Sequence, residues 1–222
     1  MLTCNIVESG SKGNMILVND TIALDMGITY KKAKPYLKNL KLIFISHLWL
    51  HKDHLLPITI KTLIYNKPSI KIISGSEEVV KVLINQCNVP SKNIFLLKPQ
   101  KWYDIGLCKV KLDELVHDTP NYAIHIDYNN EKMLYVVDTA DISHIEAKAY
   151  DMYCIEANYN DEVLQKHIEE CNDKNKLYYL NRVSRTHLSE MKARDFLIEN
   201  MGANSSYYYI HKSKYNFIEE GE

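Results

Sequence analysis

The stretch Leu42-Ile-Phe-Ile-Ser-His-Leu-Trp-Leu-His-Lys-Asp-His54 constrains this chain more than any other. It begins as an apolar β-type run and closes on three histidines and an aspartate (His47, His51, Asp53, His54) within eight residues. Imidazole and carboxylate suit zinc and its neighbours, and a buried strand breaking into a loop aims several lone pairs at one point. The plainer reading is a histidine-rich surface turn. His-x-Asp-His is a metal-type spacing, however, so the rest of the chain has to supply the remaining ligands.

The elements around this stretch point to a layered α/β arrangement. Residues 3–8 and 15–18 read as strands flanking the turn Ser9-Gly-Ser-Lys-Gly-Asn14. Residues 21–27 form an apolar strand ending in Asp-x-Gly, where Asp25 reads as a turn or cap residue. Helical spacing covers 29–39 and 55–66, with strands at 70–74 and 93–97 and a helix opening at Ser76 ahead of an acidic first turn. The second half is richer in strands: 108–115, 123–128 and 132–138, the last two joined at Asn129-Asn130-Glu131 as a hairpin. Further strands are expected at 152–157 and 176–181, with a helix near 161–171 between them. A helix opens after Thr186-His-Leu-Ser189, with Ala193, Phe196, Leu197 and Met201 on one face, and the last strand is 205–210.

At 222 residues the chain supports one core, and a single domain over 1–222 is expected. A hydrophobic content of 46% and a charged content of 25% are those of a globular protein. Net charge of −1 and a pI near 6.8 leave no global footprint for nucleic acid, and the clearest local basic patch is Tyr30–Lys41. A lysine-studded helix is commonly just a solvated face. Cys4, Cys87, Cys108, Cys154 and Cys171 are scattered without a C-x-x-C pair, which fits free thiols in a reducing compartment. No signal peptide and no apolar run near the ~20 residues of a membrane span are evident, so the expected location is the cytoplasm, with no membrane partner.

Three later residues each follow an apolar strand directly: His117, Asp138 and His211. Any one alone reads as an ordinary polar residue. Together they match the way functional groups collect at strand ends, where loops converge over a rigid sheet.

With these residues in place the sequence resembles the metallo-β-lactamase fold hydrolases over nearly its whole length. The resemblance rests on Ser-Gly-Ser-x-Gly-Asn14, Leu-Asp-Met-Gly27, Ile-Ser-His47 through His-x-Asp-His54, the His117 motif and Val-Val-Asp-Thr139. Ile155-Glu-Ala-Asn158, Thr186-His-Leu-Ser189 and Ile210-His-Lys-Ser213 are similar to the ribonuclease Z-like and small single-domain nuclease branch. The resemblance implies an αββα sandwich, two mixed sheets with outer helices. It also implies two divalent metal ions, zinc first and manganese as the alternative. One ion would take His47, His51 and His117, the other Asp53, His54 and His211, with Asp138 bridging. Asp53 would also orient, or take a proton from, a metal-activated water. His187 would act as general acid, with Glu156 fixing its tautomer.

Two departures stand out. The family signature is His-x-His-x-Asp-His, and here two extra residues separate His47 from His51, so Trp49 falls where the first histidine is expected. Either a bulge returns His47 to the metal, or that metal lacks a ligand. The second departure is Asn158-Tyr-Asn-Asp161, where some relatives carry Asn-His-Asp; Tyr159 is expected to alter substrate handling.

The expected function is a metal-dependent phosphodiesterase acting on a nucleotide substrate, either nucleic acid or a cyclic nucleotide. A degenerate hydrolase that sequesters a nucleotide, and a lactamase or thioesterase, are the alternatives. Relatives are commonly dimers, so a homodimer is expected, and 16 tyrosines could furnish its interface.

Overall fold

The computed structural model describes residues 2–48 and 53–213. The segments Met15–Val18, Ile22–Leu24 and Leu42–Phe44 are short, apolar and buried throughout, so the sheet they build needs cover on both faces. The first sheet follows chain order: β1 (Cys4–Glu8), β2 (Met15–Val18), β3 (Ile22–Leu24), β4 (Leu42–Phe44), β5 (Lys71–Ser74) and β6 (Ile94–Leu96). The first three pair antiparallel and β3 to β6 run parallel. The second sheet contains β7 (Tyr103–Asp104), β8 (Lys109–Leu115), β9 (Asn121–Tyr128), β10 (Glu131–Val136), β11 (Met152–Glu156) and β12 (Ser206–Ile210), ordered β12-β11-β10-β9-β8-β7. Here β7 to β10 are antiparallel, and β11 and β12 add in parallel.

Alternation along the strands sorts the side chains into layers. Ile16, Val18, Leu24, Leu42 and Phe44 of the first sheet meet Val110, Leu112, Ile124, Ile126, Met133 and Tyr135 of the second. The opposite face of the first sheet (Met15, Leu17, Ala23, Ile43, Ile72) is covered by α1 (Tyr30–Ala33), α2 (Pro57–Asn66) and α3 (Glu77–Asn85). The outer face of the second (Ala123, Leu134, Val136, Tyr153, Ile155) takes Ala193, Phe196 and Leu197 of α6 (Glu190–Asn200). A satellite pair, α4 (Asp161–Glu169) and α5 (Lys174–Thr186), packs through Leu164, Leu180 and Val183. Two mixed sheets face to face with helices outside is the expected α/β sandwich. Among the described residues no helix is long and apolar enough to cross a membrane.

Local chemistry accounts for most boundaries. Ser76 caps α3 by accepting from Val79 N, and Ser189 caps α6 by accepting from Lys192 N. Asn129 and Asn130 take left-handed φ values of 55° and 67°, the tight turn that joins β9 to β10. The expected helix over 29–39 is cut to α1 and a 3₁₀ turn at Lys34–Tyr36, because Pro35 lacks the amide hydrogen that a longer helix needs. The strand expected at 176–181 is wrong: these residues lie inside α5. Tyr178 and Tyr179 carry strand propensity, but Asp173 caps the segment by accepting from Lys176 N. Leu180 and Val183 then fall on the face buried against α4. Packing and capping outweigh propensity here.

A candidate metal centre at the strand ends

The strand ends converge between the two sheets, and the turn around Ser9–Asn14 holds one side of the site. Asn14 is buried; its backbone N donates to Asp53 O at 2.6 Å, and its amide lies 3.2 Å from His54 Nε2. Gly27 lets the same loop approach closely, since a Cβ there would sit 1.7 Å from the Asp53 carbonyl oxygen. The bridge between Met26 and Leu55 completes the clamp. Asp53 and His54 are thereby held by backbone contacts to two distant turns.

Asp25 ends β3 in a left-handed conformation (φ 60°) and is fully buried. It accepts from Ser46 N at 2.8 Å, from Ser46 Oγ at 3.0 Å and from Tyr135 OH at 2.7 Å, and it lies 2.7 Å from His54 Nδ1. His54 Nδ1–H therefore points at Asp25, and its Nε2 turns to Asp138 Oδ2, 2.7 Å away. Ser46 Oγ, donating to Asp25, accepts from His47 Nδ1 at 3.0 Å and leaves the His47 Nε2 lone pair facing inward. Asp25 is thus an orienting carboxylate of the kind that stands behind metal-ligating histidines, not merely a turn residue. Its signal was present in the sequence: it follows an apolar strand just as Asp138 does.

Asp138 (φ 52°) follows β10 and is the hub. Its carboxylate lies 3.4 Å from His47 Nε2, 2.9 Å from His211 Nδ1 and 3.1 Å from His187 Nδ1. Burial opposes its charge, but His211 and His54 outweigh that and hold it well below the usual carboxylate range. His47 sits with its ring centroid 4.2 Å from that of His54 and 5.0 Å from that of His117. The two inserted residues therefore do not remove His47 from the site. His51 and Trp49 lie outside the described residues. His211, also left-handed (φ 53°), follows β12 and is anchored by its N–H donating to Ser9 Oγ at 2.8 Å.

Glu156 ends β11 with no exposed surface. One oxygen lies 2.7 Å from His187 Nδ1 and 2.9 Å from His211 Nδ1. The other accepts from Thr139 N at 3.0 Å and Leu188 N at 3.3 Å. That Glu156 serves His211 as well as His187 was not expected. His187 is the C-cap of α5, and its side chain is 17% exposed against at most 6% for His47, His54 and His211, which puts it at the mouth. Burial disfavours its charge, but Glu156 and Asp138 raise its pKa to about 10; the same carboxylates, Asp138 first, raise His211 to about 9. His47 and His117 move down, mainly through burial. Tyr159, which stands where some relatives carry a histidine, is buried with Leu164, Leu180 and Val183, and burial pushes its hydroxyl up to about 12.

The donor atoms form two adjoining sets around one carboxylate, and Asp138 and His211 make a third with Glu156 and His187 at the mouth, within 4.8 Å of one another. Asp53, His54, Asp138 and His211 can present one ligand atom each within 4.8 Å of one another, and so can His47, His117 and Asp138. Among the described residues, His47 Nε2, Asp53 Oδ1 and His211 Nε2 are buried without a hydrogen-bond partner. Buried lone pairs facing lone pairs are costly unless a cation lies between them. The residues present fit divalent ions.

The chain has the metallo-β-lactamase fold. It aligns with the metallo-β-lactamase fold protein YhfI from Bacillus subtilis at a TM-score of 0.70 and 15% identity, over 97% of this chain and 88% of that one. The short form of human tRNase Z aligns at 0.67 and 16% identity, over 96% and 93% of the two chains. Zn²⁺-bound PqqB from Methylobacterium extorquens aligns at 0.71 and 9% identity, over 97% and 90%. No protein-family model matches the sequence, and no curated protein does.

Proposed function

We propose that this protein is a metal-dependent phosphodiesterase that hydrolyses a phosphodiester in a nucleotide substrate, nucleic acid or cyclic nucleotide. The observation that carries the reading is the His187–Glu156 pair: an imidazole partly exposed at the mouth, locked by a buried carboxylate, beside a cluster of buried metal-type donors.

Asp53, His54, Asp138 and His211 would hold one ion, and His47, His117 and Asp138 the other, with His51 as the further ligand read from the sequence. When bound, such ions supply Lewis-acid neutralisation of phosphoryl charge and acidify a water. Asp53 Oδ1, buried and without a hydrogen-bond partner among the described residues, would take a proton from an attacking water. His187 keeps Nδ1–H on Glu156 and offers Nε2–H to the departing oxygen. An alkoxide leaving group gains from a positioned acid, which favours phosphodiester chemistry over lactam or thioester hydrolysis. Glu156 cannot drift, because Thr139 N and Leu188 N occupy its second oxygen.

Charge outside the site supports a phosphate-bearing substrate. The helix that ends at His187 carries Lys174, Lys176, Arg182 and Arg185 and no acidic residue between Lys174 and Thr186. Arg182 is paired with Asp118, the neighbour of His117, at 2.9 Å, so it ties the helix to the site and leaves Lys174, Lys176 and Arg185 as the charges that bear on a phosphate. Chains of the same fold include one named a tRNase Z, one named a diphosphatase of the PhnP family and a PqqB with Zn²⁺ bound, which is in keeping with this reading. Against the sequestering alternative, His47 remains among the donors despite the altered spacing.

The test is a hydrolysis screen of cyclic mononucleotides, single-stranded RNA and single-stranded DNA with Zn²⁺ or Mn²⁺ supplied. Metal-dependent cleavage of one class supports the reading. Tight nucleotide binding without turnover by the metal-loaded protein would make it a sequestering protein instead.

A further inference from the structure

Cys4 lies on β1, the edge strand of the first sheet, and Cys154 on β11 of the second. Their Sγ atoms are 3.5 Å apart, although the residues are 150 positions apart in sequence. Both are free thiols. Cys154 is fully buried in the core between the sheets, and Cys4 packs against that core from a partly exposed position. Nothing in the proposed hydrolysis uses either residue.

We propose that Cys4 and Cys154 are an oxidisable dithiol that a peroxide-class oxidant converts into a disulfide joining the two sheets. The sulfurs, now 3.5 Å apart, have to close to about 2 Å for the bond to form. The pair is also polarised for the reaction. The two thiols share one hydrogen bond; with Cys154 as its donor, the bond lowers the pKa of Cys4 against the opposing effect of burial, and both effects raise that of Cys154. Burial pushes Cys87 up to about 11 and Cys108 up to about 12, so neither competes as a thiolate.

In the first step the Cys4 thiolate attacks one peroxide oxygen and the O–O bond breaks. The other oxygen leaves as hydroxide and is protonated to water, and Cys4 becomes a sulfenic acid. In the second step the Cys154 sulfur attacks the Cys4 sulfur. The S–O bond breaks, and the departing hydroxide takes the Cys154 proton as a second water. Two thiols are oxidised by two electrons, and one hydrogen peroxide is reduced to two waters.

The link would join strands whose ends hold the same histidine. β1 leads to Ser9, which accepts from His211 N, and β11 ends in Glu156, which lies against His211 Nδ1. A crosslink across so long a loop removes much of the freedom of the unfolded chain, which raises the thermal midpoint by roughly 10 °C.

The experiment treats the reduced full-length protein with hydrogen peroxide, alkylates it under denaturing conditions and maps its peptides without reduction. The expected result is a Cys4–Cys154 linked peptide and an upward midpoint shift, both reversed by dithiothreitol and both absent in Cys4→Ser. Should Cys4→Ser fold poorly, Cys4→Ala is the second control. Recovery of both cysteines alkylated, Cys4 driven to a sulfinic acid with Cys154 still a thiol, or a link through another cysteine would overturn the proposal. None of these outcomes depends on metal or on hydrolysis, so the dithiol and the phosphodiesterase reading stand or fall separately.

Discussion

Four histidines crowd one carboxylate: His47, His54, His187 and His211 all lie within 3.4 Å of Asp138. Asp138 accordingly separates ligation from proton transfer. Asp138→Ala removes the atoms shared by both donor sets and should lower bound metal and rate together, as read by elemental analysis and turnover. His187→Ala removes a group at the mouth. It should slow turnover by ~10²–10⁴-fold with metal content unchanged. Loss of metal in His187→Ala would reassign it as a ligand. Asp25→Asn tests the layer behind the ligands. Without a carboxylate to fix its Nδ1–H, His54 should bind metal ~10–100-fold more weakly, measured by titrating metal into the apo protein.

At the scale of elements, the site depends on turns that let strands end in unusual conformations. Gly27→Ala would force a Cβ into the Asp53 carbonyl, displacing the 53–55 loop. The expected result is a destabilisation of several kcal/mol in urea unfolding and loss of metal binding together. The β8–β9 pair makes a separate electrostatic prediction. His125, fully buried, lies 2.9 Å from Asp113 Oδ2 and 3.1 Å from Tyr150 OH, and Lys111 Nζ donates to Asp113 at 2.7 Å. Burial raises the Asp113 pKa, but His125 and Lys111 outweigh it and hold the group at about 2. A carboxyl whose folded pKa is depressed adds stability that is complete above its unfolded pKa and fades as pH falls through the folded value. Asp113→Asn should therefore cost roughly 2 kcal/mol at neutral pH, and less and less between about pH 4 and pH 2. Parallel denaturation curves for the two proteins across that range would expose the idea if their difference stayed constant.

For the whole molecule, donors from both sheets share one cluster, so a bound ion would link the two halves of the sandwich. His54 follows β4 of the first sheet, whereas Asp138 and His211 follow β10 and β12 of the second. Ligand that binds only the folded state stabilises it by mass action. Chelation of the metal-loaded protein should lower its thermal midpoint, and readdition of Zn²⁺ or Mn²⁺ should restore it. A midpoint indifferent to chelator would mean that the cluster is held by protons and hydrogen bonds alone.

Local signals in the sequence were enough for the layered architecture, the caps at Ser76 and Ser189, the hairpin at Asn129-Asn130 and the rule that His117, Asp138 and His211 follow apolar strands. Each depends on a few neighbouring residues: an apolar period, a side chain that accepts an amide hydrogen, or a residue that tolerates positive φ. Tyr178 and Tyr179 misled, because whether a tyrosine-rich segment pairs as a strand or packs as a helix depends on what covers Leu180 and Val183. Asp25 looked like a turn residue because its partners Ser46, His54 and Tyr135 are 21, 29 and 110 positions away in sequence. The fate of His47 after the two-residue insertion, the sharing of Glu156 between two histidines and the meeting of Cys4 with Cys154 were likewise decided only in three dimensions. Spacing along the chain specifies which groups are available. Which of them point at the same few ångströms is settled by how two sheets stack, since that stacking joins residues no local pattern connects.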